Sequence, residues 1–181
     1  MQFNPIQMSK GEPISSEDAL RIAKRHMLGI ALLDTTEKIA IVGSLRRKKD
    51  MVSDIDYQVV CSGVKGMRAI EEYFWAANWV CESAGDRRAI FQAPSGVYVN
   101  VFNTESVSWG AALMHNTGPS KYNIRKRAMI KRMDMVLNQY GLYKRIYDDD
   151  NPDDYKLIAS ETEKDIYDAL SWAYCKPEDR E

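Results

Sequence analysis

Three cysteines are all that the 181 residues contain, and Cys61, Cys81 and Cys175 are odd in number and far apart. They form no CxxC and no zinc-ligand spacing, which suits reduced thiols in a reducing compartment. No run of about 18 apolar residues occurs, so no membrane-spanning helix is expected. The opening MQFNPIQMSKGEP lacks a basic-then-apolar leader, and the expected location is cytoplasmic. Internal repeats and low-complexity tracts are absent as well. What is present is ordinary globular composition, 45% hydrophobic and 28% charged, which excludes disordered, collagen-like and fibrous chains. A chain of this length buries roughly 70% of its unfolded surface. That is enough for one domain or two small lobes without a disulfide or a metal to hold them.

The net charge of -1 conceals an uneven distribution. Residues 121–145 carry eight basic residues against one acid, Asp134. Residues 146–181 carry twelve acids against four bases. One segment can meet a polyanion while the next repels it. Taken alone, the two also match a solvated helix face and an acidic loop.

Hydropathy and turn signals alternate between helix and strand. Ser15-Ser16-Glu17-Asp18 offers a hydroxyl cap followed by acids. Leu20, Ala23, Met27, Ile30 and Ala31 then recur at helical spacing as far as about Leu33. Residues 38–43 form a short apolar run ending in Gly43 and predict a buried strand. Residues 54–60 alternate polar and apolar and predict a half-buried one. Helical periodicity returns over 64–77. Residues 88–93 and 98–103 predict two strands joined by Pro94-Ser95-Gly96. Helix is expected from 106 to 133 with a break at Thr117-Gly118-Pro119. Short strands follow at 136–139 and 142–147, then an acidic loop at 148–154 and a last helix at 162–172. The fold class is α+β with mixed order. The division falls near residue 105, sheet-rich before it and helix-rich and basic after it.

The chemistry concentrates on residues 43–56. Gly43 permits a tight turn and close approach of a ligand to the backbone. Ser44 opens a helical turn whose free N–H groups favour an anion, and Arg46 and Arg47 can grip phosphate oxygens. Asp54 follows, with Asp56 two residues on. In a strand these two point to the same face, while Ile55 and Tyr57 point to the core. Adjacent carboxylates repel. A hard divalent cation removes the conflict, and Mg2+ typically takes one or two carboxylates plus substrate phosphates. Asp-x-Asp alone is common at strand ends, and Gly-Ser alone is a turn. The whole order is far more specific for a metal–nucleotide site.

This order, GSLRR followed by DID, resembles the signature of the nucleotidyltransferase superfamily, specifically the family X DNA polymerases. So do His115-Asn116-Thr117-Gly118-Pro119, residues 123–127 and Leu137-Asn138-Gln139-Tyr140-Gly141-Leu142. Glu163-Lys164-Asp165-Ile166-Tyr167, with Trp172, Pro177, Glu178, Asp179 and Arg180, is similar to that family's C-terminal end. The resemblance spans residues 39–180, and residues 1–37 have no recognisable counterpart. It implies a nucleotidyltransferase palm with a mixed sheet over 1–105, preceded by the N-terminal helix. A small helical and stranded C-terminal lobe that binds nucleotide and DNA would cover 106–181. The implied activity is that of a template-directed DNA polymerase, in repair or in replication. It adds deoxynucleotides to a primer 3'-OH in gapped or nicked DNA by two-metal nucleotidyl transfer.

By the same resemblance, Ser44 and Arg47 hold the triphosphate of an incoming deoxynucleoside triphosphate, with Arg46 and the Ser53 backbone nearby. Asp54 and Asp56 bridge two Mg2+ ions, which Mn2+ can replace. Thr117 and Gly118 contact sugar and base, His115 lies beside the sugar, and Asn123 and Arg127 face the nascent base pair. Lys121, Arg125, Lys126, Lys131 and Arg132 lie near the template backbone. Gapped or primer-template DNA is the implied partner, and the implied state is a monomer.

Two positions depart from the family pattern. Asn100, in Val99-Asn100-Val101, stands where the family has its third catalytic, metal-binding Asp. An amide cannot take a proton from a hydroxyl and is a poor replacement for a carboxylate at a metal. Either the natural protein is a weakened form, or the residue was substituted to trap a complex. Asn116 stands where a bulky or aromatic residue usually adjoins the sugar, and it predicts only modest rejection of ribonucleotides. Two rival functions follow: a nucleotidyltransferase acting on a non-DNA acceptor, and a non-catalytic nucleotide or gapped-DNA binding module, which Asn100 favours. The remaining residues read as structural. His26 is structural or exposed, Cys61 and Cys81 are small buried hydrophobes, and Trp75, Trp79, Trp109 and Trp172 belong to the core.

Overall fold

The computed structural model describes residues 11–146 and 154–181. Nearly all of the expected acidic loop, Tyr147 and the first ten residues lie outside them. Helix α1 (Ser16–Ala31) starts at Ser15, whose hydroxyl oxygen accepts the Asp18 N–H at 3.1 Å. It ends at Ala31, two residues earlier than periodicity suggests. Its buried apolar side chains, Ala19, Ala23 and Ile30, pack on a five-stranded sheet. That sheet contains β2 (Thr36–Ile41), β4 (Asp54–Cys61), β5 (Val80–Ala84), β6 (Arg88–Gln92) and β7 (Tyr98–Asn103) in the order β2-β4-β7-β6-β5. β4 and β7 run parallel and the other pairs antiparallel. The sheet is therefore mixed, as expected. Between β2 and β4 come the one-turn helix α2 (Gly43–Arg46) and β3 (Met51–Val52), which pairs with β1 (Ile14–Ser15). Helix α3 (Gly63–Ala76) adds Met67, Ile70 and Phe74 to the same core. Each such fully buried side chain contributes about 1.5–3 kcal/mol.

The two first strands exchange the burial predicted for them. β2 is an edge strand with a half-exposed pattern, because only β4 pairs with it. β4 is buried along its length except at its two ends. Its alternation marks two different covered faces rather than one wet face and one dry. β5 is exposed throughout and offers no apolar alternation, which is why the sequence pattern missed it. The Pro94-Ser95-Gly96 turn joins β6 to β7 as expected. Trp75 is 78% exposed and Cys81 is also exposed, so neither is a core residue. Trp79 is buried, while Trp109, Trp172 and Cys61 are half-buried. His26 is buried, with Nδ1 3.1 Å from the Tyr73 hydroxyl.

After residue 105 the chain forms a second core around Met114, Tyr122, Ile130, Leu142 and Ile166. Its helices are α4 (Trp109–Thr117), α5 (Ser120–Lys131) and α6 (Glu163–Ala169). The break between α4 and α5 falls at Gly118-Pro119, as the sequence suggests. Its strands are β8 (Met135–Leu137), β9 (Leu142–Arg145) and β10 (Tyr155–Ala159), ordered β10-β9-β8. β10 was not foreseen, since YKLIA lacks a clean period of two.

The backbone near residues 160–162 seats the start of α4. The Gly110 N–H donates to the Glu161 carbonyl at 3.0 Å and the Ala111 N–H to the Ser160 carbonyl at 2.9 Å. A methyl at Gly110 would run into the Thr162 backbone. Gly110→Ala should therefore destabilise the protein by about 1–3 kcal/mol. Gly85→Ala, whose methyl would meet only the Arg88 carbonyl oxygen at 3.6 Å, should change little. Urea denaturation of the two variants checks this, and equal midpoints would contradict it.

Candidate active site

Strand period places Asp54, Asp56 and Gln58 on one face of β4. Ile55, Tyr57 and Val59 are buried on the other face, where the Tyr57 hydroxyl donates to the Ala23 carbonyl at 2.8 Å. The turn into α2 is shaped to Asp56. Gly43 has φ +64°, and a Cβ there would overlap the Asp56 carboxylate. The close approach expected at this glycine is thus made by the protein's own acid.

A cleft of about 570 Å³ opens over the carboxylates. Ser44, Arg47, Ser53, Asp54 and Asp56 line it from the sheet side. His115, Asn116, Thr117, Gly118, Asn123 and Arg127 line it from α4 and α5. These eleven residues were expected at one site, and the fold brings them together. A larger cavity, about 730 Å³, contains none of the expected site residues.

Arg46 goes elsewhere. Its guanidinium donates to Glu163 Oε1 at 3.0 Å and Oε2 at 2.7 Å, and also to the Thr117 hydroxyl. Buried Arg180 donates to the same Glu163 Oε1 at 2.9 Å. Burial works to raise the Glu163 carboxyl, but the two guanidiniums outweigh it and hold it below the ordinary range. Arg47 faces the cleft and donates to the Thr117 carbonyl. Burial, helped by the Arg180 charge, holds its guanidinium below the ordinary value, and the nearby Asp56 and Asp54 only partly counter that.

Asn100 lies beneath the cleft, 0% exposed, beside Asp56 in the β4–β7 register. Its Nδ2 donates to Asp56 Oδ1 at 2.9 Å, and its Oδ1 accepts from Arg88 at 3.2 Å. The Asp56 carboxyl is pushed up to about 7, first by burial and then by the Asp54 charge. His115 is driven down to about 4 by burial and by Arg127. It is therefore neutral near pH 7 and accepts at Nδ1 from Arg127. The Asn123 amide donates to the His115 carbonyl at 2.8 Å, and the Asn116 amide donates to Gln58 Oε1 at 2.5 Å. Gln58 in turn donates to the Phe102 carbonyl at 2.8 Å and is 1% exposed.

Lys121, Arg125, Lys126 and Lys131 lie on α5, with Arg132 at its end. All are exposed except Lys126, whose ammonium sits 4.4 Å from the Trp172 ring centroid. Sequence reasoning missed Gln58, Arg88 and Glu163. Gln58 had a signal, since it follows Asp54 and Asp56 at the same period of two, and Glu163 stood in the stretch that resembles the family's C-terminal end.

Among the described residues, no group of three or more His, Cys, Asp or Glu could hold a metal ion. The carboxylate pair still fits one cation, because burial and mutual repulsion leave Asp56 strained in its charged form. Buried Nε atoms of Arg47, Arg88 and Arg127 also lack a hydrogen-bond partner among the described residues. Two of these arginines line the cleft, which suits an anionic ligand there.

Residues 112–181, which take in most of α4 and all of α5, match the family described as DNA polymerase beta thumb. Over more of its length the chain is similar to Repair DNA polymerase X of African swine fever virus. It is 28% identical to that of the Pretoriuskop tick isolate, over 97% of this chain and 99% of the relative. It is 27% identical to that of a Malawian tick isolate, over 80% and 82%. Identity to that of a Kenyan pig isolate is 26%, over 97% and 99%. The thumb match and these relatives both liken the chain to the family X DNA polymerases. No described helix is long and apolar enough to cross a membrane.

The raised Asp56 value has a consequence for stability. The folded state favours the protonated acid, so this contribution is full below the ordinary 3.8 and is lost as pH rises through about 7. Asp56→Asn should gain on the unaltered chain by on the order of 2 kcal/mol between about pH 5 and pH 8 in EDTA. Added Mg2+ should narrow the gap at the higher pH. Thermal melts at both values check this, and a pH-independent difference would rule out a strained carboxylate pair.

Proposed function

We propose that the chain is a template-directed DNA polymerase of the family X kind, joining a deoxynucleoside triphosphate to a primer 3'-OH in gapped DNA. One observation carries the reading: the Asp54–Asp56 pair lies at the floor of a cleft whose opposite wall comes from the thumb-like segment. The name of the relatives, Repair DNA polymerase X, supports the same reading and a repair role. Arg47 and Ser44 would hold the triphosphate, with His115, Thr117 and Gly118 beside the sugar and base. Asn123 and Arg127 would face the nascent pair. Asp54 and Asp56 would hold Mg2+, which supplies charge neutralisation and polarisation of the phosphoryl oxygens. Arg46 acts at one remove, by tying the wall of the cleft to α6 through Thr117 and Glu163.

Asn100 makes this a weakened form, because no carboxylate at position 100 can take the proton from the 3'-OH. A positioned base typically contributes about 10²- to 10⁴-fold. Single-turnover filling of a one-nucleotide gap by Asn100→Asp should exceed that of the unaltered chain by such a factor. A gain under about tenfold would count against this role for position 100. The Asn100–Asp56 hydrogen bond favours one second reading, a nucleotide and gapped-DNA binder without turnover. Binding without any filling by Asn100→Asp would support it.

The exposed bases of α5 and Arg132 would lie along the template backbone. Affinity for gapped DNA should then fall with salt as counterions are released. Replacing both Lys131 and Arg132 by Ala should lower the slope of log K against log salt by about two. An unchanged slope would leave that end of α5 as a solvated face.

A further inference from the structure

We infer that this site holds one divalent cation, on the Asp54–Asp56 pair, and that a hydrogen-bonded chain from Arg88 through Asn100 to Asp56 shuts out a second. The inference rests on the polymerase reading of that pair and concerns how the same site is loaded.

The argument begins with the direction of the Asn100 amide. A guanidinium can only donate, and an ionised carboxylate can only accept. Asn100 lies between the two, 3.2 Å from Arg88 on one side and 2.9 Å from Asp56 on the other. Only one orientation satisfies both neighbours, with the amide oxygen on Arg88 and the NH2 on Asp56. A flip would set two donors against each other and two acceptors against each other. At 0% exposure, no water can repair either clash.

Mg2+ and its analogues take oxygen ligands at about 2.0–2.1 Å. Toward position 100, Asp56 Oδ1 already meets an N–H group. The oxygen of Asn100 is turned to a cation, Arg88, and Arg88 is itself kept in place over the Phe102 ring, 5.4 Å from its centroid. Charge points the same way. Among the described residues the protein offers no third acid to the pair. A second ion on the inner side would therefore find, from the protein, only the Asn100 oxygen that already accepts from Arg88. On the cleft side, Asp54 and Asp56 both line the open space, where one ion and its nucleotide phosphates can meet them. Asn100 therefore does by hydrogen bonding what a second cation would do by charge: it steadies the inner oxygen of Asp56. Arg88 is the positioning residue that sets the amide.

The test counts ions rather than turnover. Mn2+ is titrated into the full chain with a non-hydrolysable deoxynucleoside triphosphate analogue, and bound ions are counted by electron paramagnetic resonance. The same titration is run on Asn100→Asp and Asn100→Leu, each checked for folding by circular dichroism. One Mn2+ per chain is expected for the unaltered protein and for Asn100→Leu, and two for Asn100→Asp. Two ions on the unaltered protein would overturn the inference and leave the polymerase reading standing. A folded Asn100→Asp that still binds one would overturn it too, since position 100 would then not control the count. No bound Mn2+ on the unaltered protein would defeat the inference together with the assignment of Asp54 and Asp56 as ligands. Where Asn100→Asp fails to fold, the count on the unaltered protein decides.

Discussion

Two carboxylates on one face of a buried strand repel each other, and most of the structure around β4 answers that repulsion. Asp56 is largely kept from water, because Gly43 turns tightly over it and β7 lies alongside. Its compensation comes from nearby groups: the Asn100 amide donates to it directly, and the Arg47 and Arg88 charges lie close by. What remains uncompensated faces the cleft. A site left partly strained in this way binds a cation more readily than one fully satisfied by the protein.

The same stretch of chain supplies a second constraint. Arg46 and Arg47 are adjacent in a single helical turn, so they point about 100° apart. One faces the cleft, and the other reaches Glu163 in the C-terminal lobe. With Arg180 on its other side, Glu163 forms a nearly buried ion cluster that joins the two cores. Such clusters repay their desolvation poorly as stability, but removing one member leaves an uncompensated charge. Here the cluster is better understood as fixing orientation. It presses the end of α4, with His115, Asn116 and Thr117, against the face of β4. The Asn116–Gln58 hydrogen bond closes the same contact from the other side.

Much of the site was legible in the linear order because its residues are local and periodic. Gly43 through Asp56 reads directly as strand, turn and strand, and a period of two assigns the carboxylates to one face whatever the rest of the chain does. Thr117-Gly118-Pro119 reads as a helix break for an equally local reason. Errors arose where a neighbouring element decides exposure. β2 looked buried and is an edge, β4 looked half-wet and is covered, and Trp75 sits at helical spacing on α3 yet is exposed. Arg46 was expected at the phosphates with Arg47, since no local rule states which of two adjacent arginines meets an acid 117 residues further along the chain.

The sequence by itself determined the α+β class, the carboxylate pair with its Gly43–Arg47 turn and the amide at position 100, because each depends on residue type and short-range period; the residues of the opposite wall were named through the family resemblance. Only the tertiary structure decided what that amide does. Its partner Arg88 lies on an adjacent antiparallel strand, and its partner Asp56 on a parallel one 44 residues away. Hydrogen-bond direction depends on which donors and acceptors the sheet brings within about 3 Å. That distance exists only once β4, β6 and β7 lie side by side.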